Sequence, residues 1–352
     1  MPVSNVISWF RYANFTYIFS RTVDFWRVLF IIIRNNIKLC GGLALFKVFI
    51  DGREGTTGLR IYERLAARTD VDLIVLPEAE RKNPARRKWA LNACDAAILC
   101  LPDAAAREAV AMVENPQTVV LDASTAHRTA PGWAYGLPEL GQAAREAILS
   151  SRRVAVPGCH ASGFIALVAP LVEEGLLSPD APLSCTSLTG YSGGGKKMIA
   201  DYEQKGAAYD PPRPYGLAQA HKHLPEMTQI ARLAQPPVFL PVVGNFYSGM
   251  LVSVPLHRSQ LRFGAGMEDV RSVYKKRYAG PVVAYRETIS EGGFASAGLL
   301  SGKDGMYIAC EGNGERFTLL AAYDNLGKGA SGAAVQLLNL KMGADMTAGL
   351  AL

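Results

Sequence analysis

Cysteine, histidine and long apolar runs are all in short supply, and each shortage removes a class of protein. The six cysteines of this 352-residue chain include no CxxC pair and no metal-type spacing, so neither a zinc scaffold nor a dithiol redox motif is indicated. Nor do they suggest a disulfide framework; unpaired thiols suit a reducing, cytoplasmic setting. Histidine occurs five times, which makes any clustering of it informative. Nothing near the chain start offers the roughly 20 consecutive apolar residues of a membrane-spanning helix. No signal-peptide order of basic end, apolar centre and small-residue cleavage site is found there either, and no repeat or low-complexity linker is visible.

Charge is modest too. Charged residues make up 19% against 49% hydrophobic, and the formal net charge is +6. Residues 1–46 hold Arg11, Arg21, Arg27, Arg34 and Lys38 against Asp24 alone, so four of those six charges sit there. The rest of the chain is close to neutral and gives little support for a nucleic-acid surface. Length and composition fit a globular protein with two domains.

From Lys47 onward the pattern becomes specific. Lys47, Val48, Phe49, Ile50 and Asp51 read as a buried strand running into Gly52, Arg53, Glu54, Gly55, Thr56, Thr57 and Gly58, then into the helical pattern of Leu59, Ile61, Tyr62 and Leu65. Strand, glycine turn and helix suit a dinucleotide: glycines let the backbone approach the pyrophosphate, and the helix N-terminus supplies N–H groups and positive potential. The spacing is GxxGxxG, not the commoner GxGxxG, so its weight comes from context. Further strands at 71–76, 95–101 and 118–122 alternate with helical segments, as a doubly wound parallel sheet requires. After the second strand, Glu78 and Glu80 would suit the ribose hydroxyl of NAD, whereas Arg81 and Lys82 would suit the 2′-phosphate of NADP; the reading favours NADP, with Arg81 as a contact.

The expected fold class is α/β, a Rossmann-like doubly wound dinucleotide-binding domain over 47–157 plus an α+β catalytic and dimerisation domain over 158–323. Strands at 184–191, 238–246 and 250–256 suggest a mixed or antiparallel sheet in the second domain. Residues 324–352 read as a loop and a small-residue helix returning to the first domain.

Chemistry concentrates at Val154, Ala155, Val156, Pro157, Gly158, Cys159 and His160. A short strand breaks at Pro-Gly and delivers Cys159 to a helix start, and Phe164, Leu167, Val168 and Leu171 mark that helix's buried face. A helix N-terminus lowers a cysteine pKa from about 8.5 into roughly the 3.5–7.5 range, so a thiolate is expected. His221 and His223 share one face of an extended segment, and Pro225 favours a helix start as its first residue. Either histidine could accept the thiol proton; a metal site built from them with Cys159 or His127 lacks a fixed third ligand, so no metal is expected. Thiolate, imidazole and dinucleotide fold together specify a narrow chemistry, in which a thioester accepts hydride and collapses to an aldehyde.

The stretches FIDGREGTTGLRI (49–61), VPGCHASGFIAL (156–167), YSGGGKK (191–197), HKHLPEM (221–227) and DNLGKGASGAAVQ (324–336) carry a resemblance. Across nearly all of residues 47–352 the chain resembles the type 2 N-acetyl-gamma-glutamyl-phosphate reductases, within the aspartate-semialdehyde dehydrogenase-like superfamily. That resemblance implies Cys159 as nucleophile and His221 and His223 in acid/base and positioning roles. It also implies an acyl-phosphate substrate with two anionic ends, met by Arg128, with Ser124 of the same turn as a further substrate contact; Lys196 and Lys197, after a Gly-Gly-Gly loop, could reach the substrate or merely begin a helix. Asn325 and Gly329 would lie near the nicotinamide, with Gly52, Gly55, Thr56, Thr57 and Gly58 on the pyrophosphate. A homo-oligomer, dimer or tetramer, is expected. His160 departs from the family, which more often has an aromatic residue after the cysteine.

Residues 1–46 have no counterpart in that family. They are crowded with aromatics, and the apolar run at 28–33 is bounded by Arg27 and Arg34. An interfacial amphipathic helix or a transit segment would fit such a composition; the preferred expectation is a non-native extension, for example translation from an upstream start codon. Intact mass of protein from the native source checks it, and a mature chain starting at Met1 rules it out.

Overall fold

Val48, Phe49, Ile50 and Asp51 are buried at the end of strand β1 (Phe46–Asp51), as the interior strand of a covered parallel sheet must be. The computed structural model describes residues 45–352; the expectations for 1–44 lie outside them. β1 begins at Phe46, which pairs with Val71, one residue before the expected boundary. The chain then forms α1 (Thr56–Ala66), β2 (Val71–Ile74), α2 (Pro84–Ala93), β3 (Ala96–Leu99), α3 (Asp103–Ala111), β4 (Val119–Asp122), β5 (Ala134–Tyr135), α4 (Gln142–Ser150) and β6 (Arg153–Ala155). Their six strands make one sheet in the order β2-β1-β3-β4-β6-β5, parallel at every pairing. The strands are shorter than expected at 71–76 and 95–101, because the chain leaves the ladder to build turns at the sheet's C-terminal edge.

The order reverses between β1 and β3, and such switch points are where open α/β sheets bind ligands. Gly52 sits there with φ of +87°, and a Cβ on it would lie 2.3 Å from the carbonyl oxygen of Cys100. A Cβ on Gly58 would lie 2.5 Å from the Gly52 oxygen. The turn is therefore closed backbone against backbone. Gly55 caps α1 without a side-chain hydrogen bond, leaving the first N–H groups of that helix open to a ligand.

α5 (Cys159–Glu173) follows β6. Its apolar pattern predicts one buried face, yet every residue from His160 to Val168 is buried, because the helix lies between layers. A second sheet covers one side of it. After β7 (Ser184–Gly190) and α6 (Gly195–Lys205) come β8 (Arg213–Pro214), α7 (Leu224–Ile230), β9 (Val238–Gly244), β10 (Met250–His257) and α8 (Met267–Arg277). Then follow β11 (Val283–Tyr285), a small ribbon of β12 (Ser290–Glu291) and β13 (Phe294–Ala295), β14 (Met306–Gly312), β15 (Arg316–Tyr323) and α9 (Gly332–Met342). The seven-stranded sheet runs β11-β14-β15-β10-β7-β9-β8 and is mixed: β7 is parallel to β9, while β10 is antiparallel to both β7 and β15.

One face of this sheet packs on α5, whose Phe164, Leu167 and Leu171 share a core with Val252, Val254 and Tyr323. The other face is open along β7 and β9, where Ser184, Thr186, Val238 and Leu240 are exposed. α9 returns to the first sheet: Ala334, Val335 and Leu338 join the core around Val48, Ile50 and Leu121. Among the described residues no helix is long and apolar enough to cross a membrane.

A Gly52→Ala substitution forces a left-handed backbone on alanine at about 1–2 kcal/mol, and drives its methyl into Cys100. Urea unfolding should show at least that loss of stability, with weakened dinucleotide binding by fluorescence titration; wild-type values for both would contradict the packing described.

Candidate active site

Two adjoining cavities straddle the glycine turn. The first, ≈ 370 Å³, is bounded by Asp51 to Glu54, Tyr62, Val75, Leu76, Arg81, Lys82 and Arg87. Asp51 at the end of β1 is held by Arg87 in a buried pair at 2.9 Å, so it is not a free acid. Arg81 reaches Glu78 at 3.0 Å and Glu54 at 3.5 Å, and Glu80 pairs with Arg86. Arg81 and Lys82 line the cavity, whereas Glu78 and Glu80 do not. The second cavity, ≈ 460 Å³, begins on the other side of the turn at Gly55, Thr56, Thr57 and Gly58, and ends at Cys159, His221 and His223. Asn325 and Gly329 line it too.

This is a good fit for a dinucleotide. The closed glycine turn and the uncapped start of α1 lie between a cavity with basic walls and a cavity that holds the thiol. α1 can meet a pyrophosphate with backbone N–H groups and its positive dipole end. When bound, the nicotinamide supplies or accepts hydride.

Cys159 is the first residue of α5, and Gly158 before it is crowded on all sides. A Cβ on Gly158 would lie 2.4 Å from Arg128 Nη1 and Glu226 Oε1, and 2.6 Å from His223 Nε2. The Glu226 carboxylate organises this corner. It accepts from Arg128 Nη1 at 2.7 Å, from the Tyr135 hydroxyl at 2.8 Å and from the Gly158 N–H at 3.1 Å. His223 Nε2 stands 3.9 Å from it. Burial pushes the Glu226 carboxyl up, opposed by Arg128 and these hydrogen bonds. From the other side, the Tyr323 hydroxyl donates to the Cys159 carbonyl and accepts from the Gly163 N–H.

The expected lowering of the Cys159 pKa is not what its surroundings favour. Burial pushes the Cys159 thiol above its ordinary value, and Arg128, the His160 N–H and Lys222 only partly oppose the rise. The sequence reveals the helix N-terminus but not the enclosure, and here enclosure wins. A half-buried thiol with its pKa raised in this way calls for a base. Burial and Lys222 lower His221, while burial and Arg128 lower His223 well below the usual value, so both rings are neutral at pH 7. His221 Nδ1 accepts from the His223 N–H at 3.2 Å, which places the proton of the neutral ring on Nε2. The Nδ1 of His223 is buried and has no partner among the described residues.

The remaining predicted positions divide. Arg128 lines the cleft, but three of its five N–H donors are taken by Glu226, Val156 and Ala123. Ser124 is turned away: its hydroxyl donates to Asp122 at 2.7 Å and accepts from the Ala126 N–H, and it is absent from the cleft lining. Lys196 and Lys197 are exposed at the start of α6 and also lie off the lining, although Gly193 to Gly195 and Met198 are on it. The cation that does face the cleft beside Arg128 is Lys222. Asn325 acts first as a clamp, donating to Ser192 and accepting from the Gly249 N–H. Gly329 presses on the nucleophile, since a Cβ there would meet that of Cys159 at 3.0 Å. His127 is bound to Asp122 at 2.6 Å and stacked on Trp133, far from a ligand role.

Sequence reasoning missed Glu226, Tyr135, Tyr215 and Lys222. Glu226 had a signal, three residues after His223 at a helix start; Tyr135 and Tyr215 had none, because they reach the site from β5 and from the segment after β8.

The chain's resemblances agree with this geometry. Residues 47–148 match the semialdehyde dehydrogenase NAD binding domain, and residues 159–325 match the semialdehyde dehydrogenase dimerisation domain. N-acetyl-gamma-glutamyl-phosphate reductase 2 of Pseudomonas putida is 48% identical over 304 residues, covering 84% of this chain and 97% of that protein. N-acetyl-gamma-glutamyl-phosphate reductase of Trichormus variabilis is 44% identical over 318 residues, covering 86% of this chain and 99% of that one. Among solved structures, aspartate semialdehyde dehydrogenase II of Vibrio cholerae superposes with a TM-score of 0.65 at 16% identity, covering 85% of this chain and 98% of that one. The aspartate semialdehyde dehydrogenase of Candida albicans, solved with NADP, gives 0.56 at 14% identity, covering 86% and 99%; these two matches establish the fold. The chain therefore belongs to the N-acetyl-gamma-glutamyl-phosphate reductase family, oxidoreductases built on the semialdehyde dehydrogenase fold with its NAD(P)-binding domain.

Proposed function

We propose that the protein reduces N-acetyl-L-glutamyl 5-phosphate to N-acetyl-L-glutamate 5-semialdehyde and phosphate, with NADPH as reductant, in arginine biosynthesis. The observation that carries the mechanism is Cys159 in one cavity with His223, whose ring burial keeps neutral and whose Nδ1 has no partner among the described residues. Its reaction begins when Cys159 Sγ attacks the acyl carbon while His223 takes the thiol proton. The carbon–oxygen bond to phosphate breaks, phosphate leaves with the electron pair, and the imidazolium returns the proton to it, leaving a thioester. Hydride addition to the thioester carbon produces a tetrahedral oxyanion. It collapses to the aldehyde, expelling the Cys159 thiolate, which takes up a proton from solvent relayed by the same, now neutral, histidine. Lys222 and the free donors of Arg128 meet the substrate's anions, a role that the buried Glu226 tempers for Arg128.

NADP is preferred over NAD because the basic side chains reach the first cavity and the acidic ones after β2 do not. The described cysteines are all free thiols, in keeping with a reducing cytoplasm. A homodimer would cover the open strand face that exposes Val238 and Leu240. Light scattering should give twice the chain mass, and a monomer would count against that face as an interface.

Run in reverse, the wild-type enzyme should oxidise the semialdehyde with NADP and phosphate, and Cys159→Ser should lose nearly all turnover. Near-full activity of that variant would refute the thioester route. Because both imidazoles titrate below the usual 6.5, the acidic limb of kcat/KM should fall below pH 6.5, where the base becomes protonated. His223→Gln should remove that limb and cost roughly 10²–10⁴-fold; an unchanged profile would exclude His223 as the base.

A further inference from the structure

His160, the residue that departs from the family pattern, is buried with both ring nitrogens engaged. Nδ1 meets the Ser187 hydroxyl at 2.7 Å, and Nε2 meets the Tyr215 hydroxyl at 2.8 Å. Ser187 is fully buried on β7, and among the described residues its hydroxyl is bonded to His160 alone. Two proton arrangements fit those distances. If His160 Nδ1 donated to Ser187, the serine proton would be left buried without an acceptor, at a cost of about 1–3 kcal/mol. If Ser187 donates to Nδ1, every proton is placed: His160 carries its hydrogen on Nε2 and donates it to the Tyr215 oxygen.

The ring is held neutral in either case, with its pKa pushed down to about 3 by burial and the neighbouring His221 and Lys222. His160 is also wedged edge-on against His221 and Phe239, at centroid distances of 5.5 and 5.4 Å, which prevents it from turning. With its oxygen occupied by the Nε2 hydrogen, Tyr215 retains its own hydrogen for another acceptor. Tyr215 is half-buried and lines the same cavity as Cys159 and His221. Its backbone is pinned by a hydrogen bond from its N–H to the Pro241 oxygen at 3.0 Å.

We propose that the Ser187–His160–Tyr215 chain makes Tyr215 an oriented hydrogen-bond donor to the substrate oxygen at Cys159, with His160 as its positioning residue. Such a donor acts on the oxygen that gains charge when sulfur or hydride adds to the carbonyl carbon. A phenylalanine at position 160, with neither donor nor acceptor, could not set this proton order. The inference rests on the reaction proposed above but not on which histidine is its base.

The test is reverse turnover of the semialdehyde by wild type, Tyr215→Phe, His160→Leu, His160→Gln and the Tyr215→Phe/His160→Leu double variant. Wild-type turnover establishes the reaction separately; its absence would sink that reading first. Tyr215→Phe should lower kcat by roughly 10²-fold with KM little changed, the loss typical of one preorganised donor. His160→Leu should cost a similar factor alone and almost nothing further in the Tyr215→Phe background. His160→Gln, whose amide can still donate to Tyr215, should recover most of the loss, and decides the matter if His160→Leu does not fold. Equal effects of His160→Leu in both backgrounds, no rescue by glutamine, or wild-type kcat in Tyr215→Phe would each overturn the proposal. So would a shifted pH profile of Cys159 alkylation by iodoacetamide in Tyr215→Phe, because the hydroxyl would then be acting on the sulfur.

Discussion

The buried Glu226 carboxylate is the tie on which the active site depends. It joins the turn after β4 through Arg128, the edge of the first sheet through Tyr135, the start of α5 through the Gly158 N–H, and its own helix α7 beside His223. A buried ion pair of this kind contributes little net stability against its desolvation cost. Removing one partner leaves the other charged and unpaired, so what the pair provides is register. Cys159 and His223 belong to segments more than 60 residues apart, and this carboxylate sets how they face one another. Gly158 completes the constraint, since no side chain fits where three polar groups converge.

Enclosure explains why thiol and histidine must work together. The same burial that raises Cys159 lowers His223, so both groups rest uncharged and one proton transfer creates both charges at once. His223 lines the cleft with its buried Nδ1 unpartnered among the described residues, while His221 Nδ1 is engaged by backbone. Substrate anions and the dipole end of α5 act on that charge-separated state.

Much of the architecture was legible from pattern. Continuous apolar strands with a glycine turn marked the parallel sheet, longer irregular strands rich in glycine and proline marked the mixed one, and the Pro-Gly-Cys junction marked the helix start. Local patterns misjudged α5, whose one apolar face became a helix buried nearly all round once the second sheet closed on it. Of the two readings open for Lys196 and Lys197, substrate contact or a helix start, α6 beginning at Gly195 with both lysines exposed fits the second. The Ser124 hydroxyl is engaged by the carboxylate two residues earlier, a contact that no local pattern marks.

Spacing and residue type alone set the inventory: a nucleophile at a helix start, two histidines on one short segment, a dinucleotide turn, and basic residues after β2. These are local facts, governed by spacing and backbone preference. Only the tertiary structure decided the state of those groups, because pKa, tautomer and proton order depend on what distant strands bring within about 3–6 Å. His160 shows the division most plainly. Its position beside Cys159 is read from the chain, but its partners Ser187 and Tyr215 arrive from β7 and the segment after β8, and they alone determine which nitrogen holds its proton.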